Sequence, residues 1–128
     1  VQLEKITFTV YAEPAAKSNQ RRVVRIKGKK GGIRVIKSAK ALAYVDTLRD
    51  YAPKPKELML GDLAVEVKTW YASRRPDLSI ELILDAMQGV LYKNDRQVKE
   101  HHAYWMGVDK DNPRSEITVW TIEIEGGS

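Results

Sequence analysis

The stretch DLAVEVKTWYASRRPDLSIELILDAMQGVLY, from Asp62 to Tyr92, passes from the hydrophobic period of a strand to that of a helix. In its first part Leu63, Val65, Val67, Thr69 and Tyr71 alternate with Ala64, Glu66, Lys68 and Trp70, which is the period of a strand over about residues 62 to 72. In its second part Ile80, Ile83, Leu84, Met87 and Leu91 fall at i, i+3, i+4, i+7 and i+11, which predicts a helix from Leu78 to about Tyr92 with one core-facing stripe. A strand that passes directly into such a helix makes the domain mixed α/β (α+β).

Beyond it, Val98 to Met106 and Ile117 to Ile124 read as two closing strands joined by the polar turn Asp109 to Arg114. At the other end Ile6, Phe8 and Val10 alternate with Thr7, Thr9 and Tyr11, a strand over residues 3 to 11. Pro14 to Gln20 reads as a loop. Val23 to Lys27 and Ile33 to Lys37 then flank Gly28-Lys29-Lys30-Gly31-Gly32, a glycine-bearing hairpin connection. Ser38 is placed to cap a helix running to about Tyr51, with Ala41, Leu42, Val45 and Leu48 on its apolar face and Pro53 and Pro55 ending it. There is no repeat, low-complexity segment or linker, so a single domain over 1–125 is expected, with a mostly antiparallel sheet and two main helices; 126–128 is set apart as a tail.

The 128 residues are 43% hydrophobic, enough for one core without a disulfide framework, and the absence of cysteine removes zinc ribbons and thiol catalysis. No apolar run approaches the roughly 20 residues of a membrane helix and no export signal is visible, so a cytoplasmic protein without a membrane partner is expected. The net charge of +5 conceals a division: residues 1 to 56 carry 14 Lys or Arg against 4 acids, and the remainder 8 against 13. Lys17, Arg21, Arg22, Arg25, Lys27, Lys29, Lys30, Arg34, Lys37 and Lys40 lie in a stretch with no acid. Such a run is the footprint of a polyanion binder, because each phosphate neutralised releases condensed counterions; the simpler alternative is a solvated loop.

Asp77, Glu81 and Asp85 are spaced i, i+4 and i+8, which on one helix puts three acids on a stripe away from the apolar face. Like charges so placed repel, and a hard divalent cation relieves the repulsion. Asp95, just beyond, completes a set if the chain folds back, and Mg²⁺ suits carboxylates plus water and substrate phosphate. The structural alternative is that Asp77 is a helix N-cap and Glu81 a first-turn anion favoured by the helix dipole. Cations to hold a polyanion beside carboxylates that hold a metal are what phosphodiester hydrolysis needs.

The order Arg74-Arg75-Pro76-Asp77-Leu78, an apolar helix, Asp85-Ala86-Met87-Gln88-Gly89-Val90 and then Asn94-Asp95-Arg96-Gln97-Val98 resembles the RusA family of Holliday junction resolvases, common in bacteriophages and prophages. The family signature reads approximately Pro-Asp-Leu-Asp-Asn-Leu-x-Lys-x-x-x-Asp-Ala-Leu-x-Gly-Val-x-x-x-Asp-Asp-x-Gln-Val. The match is close from Asp85 to Val98 and looser over Pro14 to Arg22 and Ser38-Ala39-Lys40-Ala41. Two placements of the first motif are open. Either Asp77-Leu78 is its first Asp-Leu, with Ser79 replacing the second Asp, or Asp77 is its second Asp, with Arg75 at the first and Glu81 at the lysine. Helical continuity favours the second placement. Asp95 takes the later catalytic Asp, and Asn94 replaces its neighbour.

The resemblance implies a homodimeric, Mg²⁺-dependent endonuclease, with Mn²⁺ as a possible substitute, that nicks opposing strands of four-way junction DNA in recombination and repair. A two-fold dimer matches the approximate two-fold symmetry of such a junction. The expected catalytic carboxylates are Asp77, Glu81, Asp95 and Asp85, the first three as metal ligands and Asp85 as a further ligand or a supporting residue. The expected DNA contacts are Lys17, Arg21, Arg22, Arg25, Lys27, Lys29, Lys30, Arg34, Arg74, Arg75 and Lys93. Trp70 and Tyr71 are either stacking residues near the acids or core residues at a strand end. Adjacent strand residues face opposite ways, so His101 and His102 do not share a metal, and one of them is expected to be buried. Trp105, Met106 and Trp120 read as core, and Asp109, Asp111 and Asn112 as a turn rather than a calcium loop. The rival readings are a catalytically impaired, structure-selective DNA-binding protein on the same fold, and an unrelated RNA- or single-strand-binding module.

Overall fold

The computed structural model describes residues 4–15, 21–25 and 33–123, with side chains for 4–15 and 37–123. In chain order the elements are β1 (Lys5–Val10), β2 (Arg21–Arg25), β3 (Ile33–Lys37), α1 (Ala39–Tyr51), β4 (Leu63–Tyr71), α2 (Glu81–Met87), a 3-10 turn (Asp95–Gln97), β5 (Val98–Val108) and β6 (Arg114–Thr121). β2 and β3 pair antiparallel as the expected hairpin, and its connection lies outside the described residues. The other four strands form one sheet in the order β1-β6-β4-β5. Two of its three pairings are antiparallel, β1 with β6 and β6 with β4, whereas β4 and β5 run parallel. Parallel neighbours need a crossover, and here it is residues 72–97, which contain α2. Among the described residues no helix is long and apolar enough to cross a membrane.

The alternating strands bury one face against the helices. Phe8, Val10, Leu63, Val65, Val67, Ile117 and Val119 from the sheet join Tyr44, Val45 and Leu48 of α1 and Leu82, Ile83, Ala86 and Met87 of α2 in the core. The hydroxyl of Ser38 accepts the Ala41 N–H at 3.1 Å, which is the expected cap of α1. At the other end Ala52 precedes Pro53 and turns extended at ψ 135, as a residue before proline tends to do. Leu42 is exposed and Tyr44 takes the expected place on the buried face, because 41, 44, 45 and 48 form the i, i+3, i+4, i+7 row.

The second helix departs from its expected length. It is seven residues long, because Gln88 turns extended and Gly89 adopts φ +78, a left-handed conformation that glycine takes without strain. Residues 88–92 instead form a compact turn in which Gly89 N–H donates to the Tyr92 carbonyl at 2.7 Å. The stripe nevertheless reaches the core: the turn returns Leu91 and Tyr92 to full burial, and the Leu91 carbonyl accepts the Met59 N–H at 2.7 Å. The helix begins at Glu81 with Ile80 before it and no side-chain cap, so Asp77 is not its N-cap. Ile83 is fully buried where α2 meets the rest of the core. Ile83→Ala is expected to lower unfolding free energy by roughly 2–5 kcal/mol, read from urea denaturation midpoints. A change under 0.5 kcal/mol would mean that α2 does not pack as described.

The burial expected of side chains along β5 and β6 is corrected, because the helices cover only one face of the sheet and β5 is its edge strand. Met106 is 45% exposed rather than core, and Trp105 and Trp120 are half-buried. His101 and His102 are both exposed, and His102 Nε2 lies 2.7 Å from Glu100. The Asp109 to Arg114 segment is the turn its composition suggests, closed by Arg114 Nη1 donating to Asp109 Oδ2 at 2.8 Å.

Candidate active site

The four carboxylates singled out in the sequence are strung along the crossover between β4 and β5. Asp77 lies in the loop after the Tyr71 end of β4, Glu81 and Asp85 are on α2, and Asp95 is in the 3-10 turn before Val98. Since Tyr71 pairs with Val108 and Leu63 with Val98, the crossover starts at one end of the parallel ladder and finishes at the other. Asp77 is off the helix, so the expected three-acid stripe on one helical face does not form. Among the described residues there is no group of three or more His, Asp or Glu able to hold a metal ion. The described residues therefore present no closed protein cage. Its exposed carboxylates, Asp77, Glu81 and Asp95, have the donor chemistry of a site for a hydrated hard cation, whose remaining ligands are water and phosphate.

The structure does bring Asp85 and Asp95 together. Gln88 Nε2 donates to Asp85 Oδ1 at 2.9 Å, and Gln88 Oε1 accepts the backbone N–H of Asp95 at 3.1 Å. Gln97 holds the same turn from its other side. Its Oε1 accepts the N–H groups of Lys93 and Asn94, both at 3.1 Å, and its Nε2 donates to the carbonyls of Met59 and Gly61, both at 3.0 Å. Asn94 completes the clamp by accepting the Arg96 N–H at 2.9 Å. Buried beneath, the Tyr92 hydroxyl donates to the Leu84 carbonyl. Burial raises its pKa above the ordinary tyrosine value, and the Asp95 and Asp85 carboxylates raise it further.

A second group forms at the other end of the crossover. Tyr71 donates its hydroxyl to the Asp77 carbonyl at 3.3 Å, and Glu13 Oε2 accepts the Ala72 N–H at 2.8 Å, tying the segment after β1 to the start of the crossover. Burial again raises the Tyr71 pKa, opposed by the backbone at Ser79 and reinforced by Glu13 and Asp77. Burial also raises Tyr44. These three tyrosines stay protonated in the folded chain above pH 10.0, where the unfolded chain releases their protons. The unfolded state then binds fewer protons, so stability is complete below pH 10.0 and falls as the pH rises through the folded values. Denaturation midpoints at a series of pH values above 9 check this; a flat profile there would contradict it.

Lys37, at the end of β3, places its Nζ 2.5 Å from Asp85 Oδ2. This ion pair joins the basic hairpin to the acidic crossover. Arg74 and Arg75 are exposed at the start of the crossover, and Lys93 is exposed before the Asp95 turn. Lys17, Lys27, Lys29 and Lys30 lie outside the described residues, as do the side chains of Arg21, Arg22, Arg25 and Arg34. Of the aromatic candidates, Tyr71 is core and stacks on Trp105 at 6.3 Å between ring centroids, while half-buried Trp70 lies under the Arg114 guanidinium at 4.1 Å. Reading the sequence missed three residues. Glu13 is a lone acid with no periodic or spacing signal, whereas Gln88 and Gln97 sit inside the matched signature and that position was their only signal.

No curated protein shows significant similarity to the chain. The family model described as endodeoxyribonuclease RusA matches residues 12–120, which takes in the hairpin, the crossover with all four carboxylates and nearly all of β6. The chain thus belongs to the RusA family, metal-dependent endodeoxyribonucleases that act on Holliday junctions.

Proposed function

We propose that this protein is a Mg²⁺-dependent junction resolvase that works as a homodimer, places paired nicks in opposing strands of four-way DNA, and serves recombination and repair. The observation that carries this reading is the Lys37–Asp85 ion pair, which joins the acid-free basic run to the carboxylate-bearing crossover. A phosphate backbone held along the hairpin is thereby led to Asp85, Asp95 and the segment between them. The hairpin cations, with Arg74, Arg75 and Lys93, neutralise phosphates and fix the register of the strand without reading its sequence.

Asp95, Asp77 and Glu81 are the proposed metal ligands; because the crossover spreads them, the metal and the substrate phosphate would have to draw them together, with water and phosphate supplying the remaining ligands. Bound Mg²⁺ supplies polarisation of the phosphoryl oxygen and an activated water at neutral pH. The chain's own work is to aim the carboxylates. Gln97 and Gln88 fix the backbone under Asp95, and Glu13 and Tyr71 fix the loop that carries Asp77. A second copy related by a two-fold axis would place an equivalent set on the opposing strand.

The test is incubation of a labelled four-way junction and a matched linear duplex with the protein, first in Mg²⁺ and then in EDTA. Symmetric nicks confined to the junction and to the metal are expected. A junction retarded but uncut in Mg²⁺ and Mn²⁺ would replace this reading with a structure-selective binding protein, the alternative favoured by Asn94 and by Arg75 or Ser79 at family acid positions. Preference for single strands, indifferent to divalent metal, would overturn both.

A further inference from the structure

Asp85 lies at the centre of a chain of contacts that no nuclease chemistry requires. Its Oδ2 is engaged by Lys37 Nζ at 2.5 Å and its Oδ1 by Gln88 Nε2 at 2.9 Å, so each carboxylate oxygen already has a cationic or polar donor. The orientation of the Gln88 amide is dictated by its neighbours. The Asp95 N–H only donates, so it takes Oε1; the Asp85 carboxylate only accepts, so it takes Nε2. Reversing the amide would set donor against donor at one end and acceptor against acceptor at the other. The result is a continuous path from Lys37, the last residue of β3, through Asp85 and Gln88 to the backbone of Asp95.

The turn carrying Asp95 is therefore held at two points of different character. Gln97 ties it to the Met59 and Gly61 carbonyls, within the body of the domain. Gln88 ties it to Asp85, whose other oxygen faces a lysine on a strand of the basic hairpin. Lys37 and Asp85 are 43% and 38% exposed at their side chains, so a DNA phosphate can reach Lys37 and compete with Asp85 for it. Exposed ion pairs contribute little stability, and this one is better placed to report on phosphate than to hold the fold.

We propose that Asp85 is a positioning residue rather than a metal ligand, coupling the β2–β3 hairpin through Gln88 to the turn that carries Asp95, so that DNA on the hairpin sets the placement of Asp95. This rests on the nuclease reading of Asp95 above, but it is testable without cleavage.

The experiment compares the full chain with Lys37→Met, Asp85→Asn, Gln88→Ala and the Lys37→Met/Asp85→Asn pair by amide hydrogen exchange at Asp95, four-way junction affinity and single-turnover cleavage. Gln88→Ala is expected to speed exchange of the Asp95 amide at least several-fold, and Lys37→Met, on a separate segment, to speed it as well. Asp85→Asn keeps an acceptor for Gln88, so cleavage should fall by only about tenfold, the range for residues that orient a ligand. Loss of a direct metal ligand would cost roughly 10³-fold. The double variant should be no worse than the more affected single one, because both changes remove the same contact. Asp95 exchange unmoved by Lys37→Met, or Asp85→Asn as inactive as Asp95→Asn, would overturn the coupling. If the unmodified protein leaves junctions uncut yet the exchange effects appear, the coupling stands and the nuclease reading fails.

Discussion

Asp95→Asn is expected to lower single-turnover cleavage of a four-way junction by roughly 10³-fold, about 4 kcal/mol of transition-state stabilisation, while junction affinity stays the same or improves. The argument is local. The Asp95 side chain is exposed, and what fixes its backbone is the N–H bond to Gln88 and the Gln97 clamp, neither of which uses the Asp95 carboxylate. An isosteric change there leaves the turn intact and should move stability by no more than about 0.5 kcal/mol. It does remove the negative charge that a metal and phosphate would share. Removing an anion from a DNA-facing surface also reduces repulsion of the backbone, which is why affinity is expected to hold or rise. Gel retardation and quenched-flow cleavage on the same preparation separate the two effects. A variant that cuts at the normal rate would exclude Asp95 from the site.

Arg21, Arg22 and Arg25 replaced together by Gln should weaken binding to junction and duplex alike by roughly 10²-fold at 0.1 M salt. The slope of log affinity against log salt should become shallower by about 2.7, the value for three released counterions. The three residues belong to β2, which pairs with β3, and β3 ends at the Lys37 that meets Asp85. The hairpin is thus tied to the crossover, and losing its cations should reduce cleavage at limiting DNA in proportion to occupancy while sparing the rate at saturation. An unchanged salt slope would show that DNA binds elsewhere. A changed slope with a lower saturated rate would instead assign these arginines to the cleavage step.

Much of this molecule is visible in local pattern. The alternation of Leu63 to Tyr71, the Ser38 cap, the Asp109 to Arg114 turn and the pairing of two basic strands near in sequence each depend on residues close in the chain, so periodicity and turn chemistry report them. The charge division and the Asp85 to Val98 signature likewise need no coordinates, and the signature alone carries the likeness to the family. The acidic residues were legible as a set, although their arrangement was not. Spacing of i, i+4 and i+8 places Asp77, Glu81 and Asp85 on one face only if one helix spans them, and the helix starts at Glu81.

Local pattern therefore carries the class of each segment, the basic and acidic partition and the motif. Contacts between distant segments set the rest. Parallel pairing of β4 with β5 turned the acid-bearing segment into a crossover and spread its carboxylates along the ladder. Gly89 at φ +78 ended α2 early, yet Leu91 and Tyr92 still reached the core. The edge position of β5 left Met106 exposed, and Lys37 met Asp85 across 48 positions of sequence. The physical reason is common to these cases. Apolar periodicity encodes which face of an element is buried, a local property, whereas strand partners, crossover paths and side-chain clamps are chosen by contacts between segments far apart in the chain, which no local window contains.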